Sequence, residues 1–324
     1  MKSGWCWMKD VDESLSNGGG NWMFVDPPIE PLNEYDKRPA IKDVIEEHRQ
    51  KIYEVKRELR KDPLYDCTKH DDLFIVRFVL SHCNPRKKMN DTKGVKKATN
   101  AAKRCLQYRS KYQLDNEKIF GDIRYYPPHD IQKNVVKCDA VQRYMKYVAH
   151  DTIRFVVPDT QRGVIGFLKL SGFDQQGLVD NVSEEDWIPT FSYFTEYTYQ
   201  WLDFISRKTG RFTKSIRIVD TSDVKLTQIN NDMNTRDGTA MKYMEDYYPQ
   251  LLHKVYICNP PNWIQIPWRI IKVIFPKRLT NKIDFINPLH NKHEHNLLLE
   301  HISNENLPIQ FGGNNKIWPV EFQL

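Results

Sequence analysis

Residues 247–261 of this 324-residue chain read YYPQLLHKVYICNPP. The six residues KVYICN at 254–259 are rich in β-branched and aromatic side chains and predict a strand buried on at least one face. Three other short stretches of the same character predict strands: VIGFLKL at 164–170, SIRIVD at 215–220 and KIDFIN at 282–287.

Two long amphipathic stretches, 184–206 and 224–247, lie between these strands and predict helices. Pro189 fits the first turn of the first helix, after an acidic run that suits a helix N-terminus. Strands that alternate with helices predict an α/β fold with a mixed, mostly parallel sheet flanked by helices.

The segment after the quoted stretch, 260–282, is strongly apolar and carries basic residues but no acidic ones until its end. Tryptophan, long aliphatic side chains and flanking cations suit a membrane interface, where each cation near anionic lipid contributes about 1 kcal/mol. An ordinary buried helix beside a strand would show a similar composition, so the segment alone leaves both alternatives open.

Towards the N-terminus the pattern becomes purely helical. Apolar residues recur at three- and four-residue steps over 41–59, and Pro63 lies beyond the predicted end of this helix. A second helix is predicted from Asp71 or Asp72 and a third over about 91–112. These three helices predict a small lobe at 41–113, preceded by an extended or partly disordered arm at 1–40 that is rich in glycine and proline.

The net charge of +6 is unevenly distributed, because residues 37–112 carry 21 basic and only 10 acidic side chains. Such a surplus is compatible with nucleic acid, an anionic membrane surface or a solvated helical surface. Few aromatic residues separate the cations, which argues against single-stranded nucleic acid. We therefore expect an anionic membrane surface as partner and no nucleic acid.

Catalytic and metal-binding signatures are missing from the chain. We find no nucleophile-elbow motif and no zinc-protease motif. His290, His293 and His295 have some metal-ligand spacing, but a solvated helix start is the simpler interpretation. The sequence predicts a binding protein that is not an enzyme, with no cofactor and no metal.

The six cysteines are widely spaced, the mean hydropathy is −0.65 and the N-terminus lacks a signal-peptide core. These features predict a cytoplasmic protein without a membrane span.

The order of motifs resembles the CRAL-TRIO family of lipid-binding and lipid-transfer proteins. Residues 247–261 are similar to its YYPE signature and the strand that follows, and LPIQFGG at 307–313 is similar to its LPxxYGG ending. DDLFIVRFV at 71–79 resembles the start of its helical N-terminal module, and IRIVD at 216–220 lies where the family has its central strand.

The resemblance implies a helical CRAL-TRIO N-terminal lobe at 41–113, a lipid-binding domain at 120–313 and a C-terminal tail at 314–324. It also implies a deep apolar pocket closed by a mobile lid helix. That lid gives the membrane-interface interpretation of 263–275 a mechanism, since it would open against the bilayer. We assign lid or membrane-docking roles to Trp263, Ile264, Ile266, Trp268, Arg269, Ile270, Ile271, Lys272, Ile274, Phe275, Lys277 and Arg278.

The resemblance also supplies candidate headgroup-binding residues. In the phosphatidylinositol-transfer branch, a glutamate and a lysine contact the inositol phosphate; the lysine matches Lys282, whereas the acid is replaced by Gln250. Gln250 can still bond hydroxyls. Tyr197 and Ser215 match residues that hold phosphatidylcholine, while Arg217 either points into the pocket as a phosphate partner or faces a flanking helix.

Together these features predict a monomer, peripheral at membranes, that binds and transfers or presents a single phospholipid, phosphatidylinositol or phosphatidylcholine. Two alternatives remain. The loss of glutamate at 250 favours a carrier of another small lipophile, similar to a retinoid or tocopherol. The basic lobe could instead serve a regulatory or scaffold protein.

Overall fold

A computed structural model describes residues 38–86, 91–112, 114, 139–149, 152–156, 165–264, 268–269, 272–275 and 277–316. Residues 1–37 of the predicted arm at 1–40, and residues 317–324 of the predicted tail at 314–324, lie outside the described residues. Helices in the first part of the chain are α1 (Ile41–Glu47), α2 (Arg49–Leu59), α3 (Asp72–His82), α4 (Thr92–Lys111) and α5 (Asp139–Met145).

The second part alternates strands with helices. Its elements are β1 (Ile153–Val156), β2 (Ile165–Lys169), α6 (Gln175–Asn181), α7 (Glu184–Thr209), β3 (Ser215–Asp220), α8 (Asn231–Tyr247), β4 (Leu252–Cys258), α9 (Lys277–Thr280), β5 (Ile283–Ile286) and α10 (Lys292–Leu299). Short 3-10 turns cover Leu170–Gly172, Leu226–Gln228, Asn262–Ile264 and Ile309–Phe311.

The sheet has the strand order β1-β2-β3-β4-β5. Strands β2 to β5 are parallel, and β1 pairs with β2 in the antiparallel direction. This confirms the predicted mixed, mostly parallel sheet with flanking helices. The four predicted strands agree with the structure to within two residues, whereas β1 was not predicted.

The helices of the N-terminal part pack around their own apolar cluster. Ile52, Val55 and Leu59 of α2 bury against α3 and α4, with Phe212 from beyond α7 in the same cluster. The single helix predicted over 41–59 is wrong, because the backbone leaves helical geometry at His48. This break lets Ile41 and Ile45 of α1 contact the same cluster as the α2 side chains.

Capping side chains explain several helix starts. Asp71 accepts a hydrogen bond from the amide of Phe74, which confirms the predicted start of α3. Asn230 accepts from the amides of Asp232 and Met233, so α8 begins at 231 instead of 224. Pro189 lies inside α7, beyond the first turn that was predicted for it.

A buried ion pair joins the N-terminal helices to the sheet domain. Arg109 of α4 donates two hydrogen bonds of 3.0 Å to Glu196 of α7. Glu196 also accepts from the hydroxyl of Tyr248 and the amide of Gln200, at 2.9 Å each. Because its oxygens accept these four hydrogen bonds, the buried carboxylate is compensated within the protein.

Candidate functional site

The central part of one face of the sheet, which we call the sealed face, is covered by protein. Ile165, Phe167, Ile216, Ile218, Tyr256, Cys258 and Ile286 on this sealed face are at most 5% exposed. Leu298 of α10 and three residues that follow it, Ile302, Leu307 and Phe311, pack on them and are themselves fully buried. The sealed face is therefore an ordinary hydrophobic core, without room for a ligand.

The opposite face, which we call the accessible face, is apolar but only partly covered. Leu168, Val219, Ile257 and Phe285 form one row across β2 to β5, since each is the register partner of the next. All four side chains keep intermediate exposure. Leu168 packs against the apolar cluster that includes α7 and α8, so those helices lie on this side of the sheet.

Arg217 stands in the neighbouring row of the accessible face, between Gly166 on β2 and Val255 on β4. Its guanidinium lies over Gly166, where a Cβ atom would be only 2.1 Å from Nη1. Nη2 donates to the hydroxyl of Thr198 on α7 at 3.2 Å. Arg217 therefore projects from the accessible face and also bonds a flanking helix. Its role as a phosphate partner stays a prediction.

The described residues of the lid segment 263–275 include Trp268, which lies next to the accessible face. The ring of Trp268 packs edge-on against Phe285 at 5.2 Å between centroids. At its other end Ile274 lies against Gly238 of α8, where a Cβ atom would be 2.4 Å from Ile274 Cγ2. The lid therefore contacts both the sheet and α8.

A continuous lid helix over 263–275 was predicted. The described residues at its two ends are not α-helical. Asn262–Ile264 is a 3-10 turn, 268–269 are helical and 272–274 form a turn. Trp263, Ile264, Trp268 and Phe275 have intermediate exposure, whereas Arg269, Lys272, Ile274 and Lys277 are exposed. Ile266, Ile270 and Ile271, and the side chain of Arg278, lie outside the described residues.

Gln250 connects three parts of the chain. Its Oε1 accepts from Lys214 Nζ at 2.5 Å, and its Nε2 donates to the Ser81 hydroxyl of α3 at 3.1 Å. Its carbonyl accepts from the buried Arg77 at 3.4 Å, and its φ of 62° is in the left-handed region. The amide expected to meet a ligand hydroxyl is thus already bonded within the protein.

Lys282 lies close to Lys214 and Gln250. Strands β3, β4 and β5 are preceded, directly or closely, by Lys214, Gln250 and Lys282. These three residues therefore lie at one edge of the parallel strands, which we call the basic edge. Burial, and the nearby charges of Lys282 and Arg77, lower the pKa of Lys214 to about 8. Such crowded cations favour an anion at this edge.

The remaining headgroup candidates do not lie at the basic edge. The hydroxyl of Ser215 is fully buried and donates to the Leu251 carbonyl at 3.2 Å. The side chain of Tyr197 lies outside the described part of the chain. The candidates therefore divide between the basic edge, with Gln250 and Lys282, and the accessible face, with Arg217.

The roles of several residues near these sites were not predicted from the sequence. Lys214 and Thr198 have no recognisable motif, because their partners are distant along the chain. Gly166 and Gly238 could have been found, since a glycine inside a strand or helix often marks the close approach of another group.

A separate cavity of about 580 Å³ opens at the other end of the sheet, near Tyr147, Phe173 and Thr227. Its wall is mostly polar, with Lys146, Asp174, Gln175, Gln176, Gln228 and Asn230. Polar side chains suit acyl chains poorly, so we do not place a lipid there.

The described residues contain no group of three or more histidine, cysteine or acidic side chains arranged to hold a metal ion. None of their helices combines the length and hydropathy needed to cross a bilayer. Asn291 caps the helix that contains His293 and His295.

The CRAL/TRIO domain model matches residues 131–313, more than half of the chain. The chain therefore belongs to the CRAL/TRIO family, as its motifs indicated, and membership implies that it binds a lipophilic molecule.

The curated relatives are similar over limited stretches. The "Sec14 cytosolic factor" of Schizosaccharomyces pombe is 30% identical over 110 residues, which are 34% of this chain and 37% of that protein. "Patellin-5" of Arabidopsis thaliana is 26% identical over 43% of this chain and 20% of its own length. The Arabidopsis thaliana "Phosphatidylinositol/phosphatidylcholine transfer protein SFH11" is 27% identical over 30% of this chain and 25% of its own.

The alignments thus span between a fifth and two fifths of these relatives. Among solved structures, "Sfh5" matches 80% of this chain and 82% of its own, with 13% identity and a TM-score of 0.46.

Proposed function

We propose that this protein binds a single phospholipid on the accessible face, beneath the lid, and transfers or presents it at membranes. The observation that carries the proposal is the contrast between the two faces of one sheet. The seven residues named on the sealed face are at most 5% exposed, whereas the row Leu168–Val219–Ile257–Phe285 keeps accessible apolar surface. An acyl chain on that row would contribute about 25 cal/mol for each Å² of apolar surface it buries.

Family membership and the name of one relative support a phospholipid as the ligand. That relative is described as transferring phosphatidylinositol and phosphatidylcholine. In this chain, Lys282 with Lys214 at the basic edge and Arg217 on the accessible face are the cations that suit a lipid phosphate. The family resemblance adds Tyr197 and Ser215 to the proposed set, although the buried Ser215 hydroxyl would have to give up its bond to the Leu251 carbonyl to meet a headgroup.

The lid is the proposed membrane-docking surface. Val273 is 76% exposed and Ile274 37%, and the cationic side chains of Arg269, Lys272 and Lys277 are exposed beside them. Apolar side chains flanked by cations suit the headgroup region of an anionic bilayer. Opening there would expose the accessible face to acyl chains and let the ligand exchange.

The experiment is lipid loading followed by mass spectrometry. Purified protein is incubated with vesicles of phosphatidylinositol and phosphatidylcholine, re-isolated and extracted, and the same protein is assayed for transfer between vesicles. Ile257→Trp should fill the accessible face and lower loading about tenfold, whereas Leu226→Ala, on an exposed turn, should change nothing. A wild-type protein that loads no lipid contradicts the proposed function.

A second candidate is a carrier of a small neutral lipophile. It is favoured by the bonding of Gln250 to Lys214 and Ser81, which occupies the amide that an inositol ring would need. Lys282→Ala separates the candidates, since it should reduce phosphatidylinositol loading but leave a tocopherol-like probe unaffected. Tight loading of that probe, with no phospholipid loading, would establish the second candidate.

A further inference from the structure

Within the described strands β2 to β5, two central rows of residues cross the accessible face, and Arg217 is the one charged residue in them. One row is Leu168–Val219–Ile257–Phe285 and the other Gly166–Arg217–Val255–Ile283. Arg217 has intermediate exposure as a residue, whereas its Nη1 atom is buried. A cation thus stands among the apolar side chains that would contact an acyl chain.

The guanidinium is held in place from two sides. Gly166 has no side chain, and a Cβ there would be 2.1 Å from Arg217 Nη1 and 2.8 Å from its Cδ. On the other side Nη2 donates to Thr198 Oγ1 at 3.2 Å, and Thr198 is fully buried and donates to the Phe194 carbonyl at 3.0 Å. Gly166 and Thr198 together fix the orientation of the guanidinium group.

The apolar surroundings destabilise the charged form of Arg217. Burial lowers the pKa of Arg217 to about 10, so the guanidinium is still protonated at neutral pH. A charged group in an apolar site is stabilised by an acidic oxygen, and charge-assisted hydrogen bonds from arginine are among the strongest in proteins. A trimethylammonium group beside Arg217 would instead be repelled.

The basic edge is a separate feature. Lys214, Gln250 and Lys282 precede their strands, whereas Arg217 lies inside β3, two residues beyond its first. At about 3.3 Å per residue, two residues place Arg217 several Å further along the sheet. An anion held by Arg217 would therefore lie deeper along the accessible face than one held by Lys282.

We propose that Arg217 selects the ligand: the cargo is an acyl lipid with a net-negative headgroup, whose phosphate oxygens bind Arg217 on the accessible face. This inference rests on the proposed function and adds the class of the lipid and the residue that determines it. Zwitterionic phosphatidylcholine then binds more weakly than an anionic phospholipid with the same acyl chains.

The test compares lipids that differ only in their headgroups. Wild-type protein is incubated with vesicles of phosphatidic acid, phosphatidylinositol or phosphatidylcholine, all with palmitoyl and oleoyl chains, and bound lipid is quantified after extraction. We expect the two anionic lipids to load about tenfold more than phosphatidylcholine, the factor for one strong charge-assisted contact.

Arg217→Met should remove this preference, lowering the loading of anionic lipid about tenfold without lowering that of phosphatidylcholine. Lys242→Met, on an exposed position of α8, removes the same unit of charge and should leave loading unchanged. A folded Arg217→Met protein that keeps the anionic preference overturns the inference.

Two further variants cover the case in which Arg217→Met does not fold. Arg217→Lys keeps the charge but loses the planar guanidinium group. Thr198→Val removes the oxygen that orients this group in the wild type. Both should lower anionic-lipid loading about threefold and leave phosphatidylcholine unchanged, and unchanged anionic loading in both contradicts the inference.

Inorganic phosphate is tested in the same experiment as a ligand without acyl chains. Arg217-dependent stabilisation by phosphate, with no preference among lipids, would identify a free anion as the ligand and overturn the lipid assignment. If wild-type protein loads phosphatidylcholine as well as the anionic lipids, only this inference fails. If it loads none of the three lipids, the proposed function fails.

Discussion

The indole ring of Trp268 meets the ring of Phe285 edge-on, with 5.2 Å between centroids and 67° between planes. Phe285 lies at the end of the apolar row on the accessible face, and Trp268 belongs to the lid. This aromatic pair therefore joins the lid directly to the surface that we propose for the ligand. Breaking it should loosen the lid without disturbing the sealed face.

The first prediction is that Trp268→Ala speeds ligand release. An edge-to-face aromatic pair contributes about 0.5–1.5 kcal/mol beyond its buried area, which corresponds to about a two- to tenfold faster release. Release of a fluorescent lipid into acceptor vesicles measures the rate. Leu226→Ala changes a side chain that is 58% exposed and lies outside the lid, so it should leave release unchanged. Equal rates for wild type and Trp268→Ala would show that this contact does not hold the lid.

The second prediction concerns Gly238, against which the other end of the lid rests. A methyl group at 238 would lie 2.4 Å from Ile274 Cγ2, so Gly238→Ala should displace the lid and raise the release rate. Alanine also favours the helix by up to about 1 kcal/mol over glycine, so α8 itself should not be weakened.

A double variant tests whether the effect of Gly238→Ala passes through Ile274. Adding Ile274→Ala makes room for the new methyl group, so the release rate should return towards that of Ile274→Ala alone. Independent, additive effects of the two substitutions would rule out a direct contact between these positions.

Much of the sheet could be predicted because its strands are short apolar runs between polar segments. Strand β3 agrees with its predicted bounds at 215–220. Strand β1 was missed, since IRFV is short and includes a charged residue at an antiparallel edge. The start of α8 was misplaced because the capping role of Asn230 was overlooked.

The candidate site was harder to predict, since its geometry depends on contacts between distant residues. Alternation along β3 shows that Arg217 faces away from Ile216 and Ile218, but not which face is accessible. The crossover helices set the register that places it beside Gly166. Likewise, Gln250 bonds Ser81, 169 residues earlier, and no local pattern signals that contact.

The third prediction concerns Gln250, whose side chain joins α3 to the start of β3. Gln250→Ala removes the bonds to Lys214 and Ser81 while keeping the left-handed backbone, so the free energy of unfolding should fall by about 1–3 kcal/mol. Urea denaturation at neutral pH measures the loss.

Gln250→Glu is the matched variant for the same site. A carboxylate next to Lys214 should raise the pKa of that lysine from about 8 towards its ordinary value, since an opposite charge stabilises the ammonium group. Stability should then be recovered at neutral pH and persist above pH 8, because the raised pKa keeps the lysine protonated there. A Gln250→Glu protein as unstable as Gln250→Ala would contradict the proposed pairing.

The fourth prediction concerns Asp237 of α8, which accepts a hydrogen bond from Trp187 Nε1 of α7 at 2.9 Å. Burial raises the pKa of Asp237 to about 7 from its ordinary 3.8. The folded protein therefore holds the proton more tightly than the unfolded chain. The resulting stability is fully present below pH 3.8 and is lost as the pH rises through 7, by up to about 1.4 kcal/mol for each pH unit.

Asp237→Asn keeps an oxygen acceptor for Trp187 but cannot ionise, so it should remove this loss. Urea denaturation between pH 5 and pH 8 should show a smaller decrease in the free energy of unfolding for the variant than for wild type. Asp232→Asn, at an exposed position in the first turn of the same helix, controls for charge. Parallel pH profiles for wild type and Asp237→Asn would mean that Asp237 ionises at its ordinary pKa, and that its contact with Trp187 is accessible to solvent.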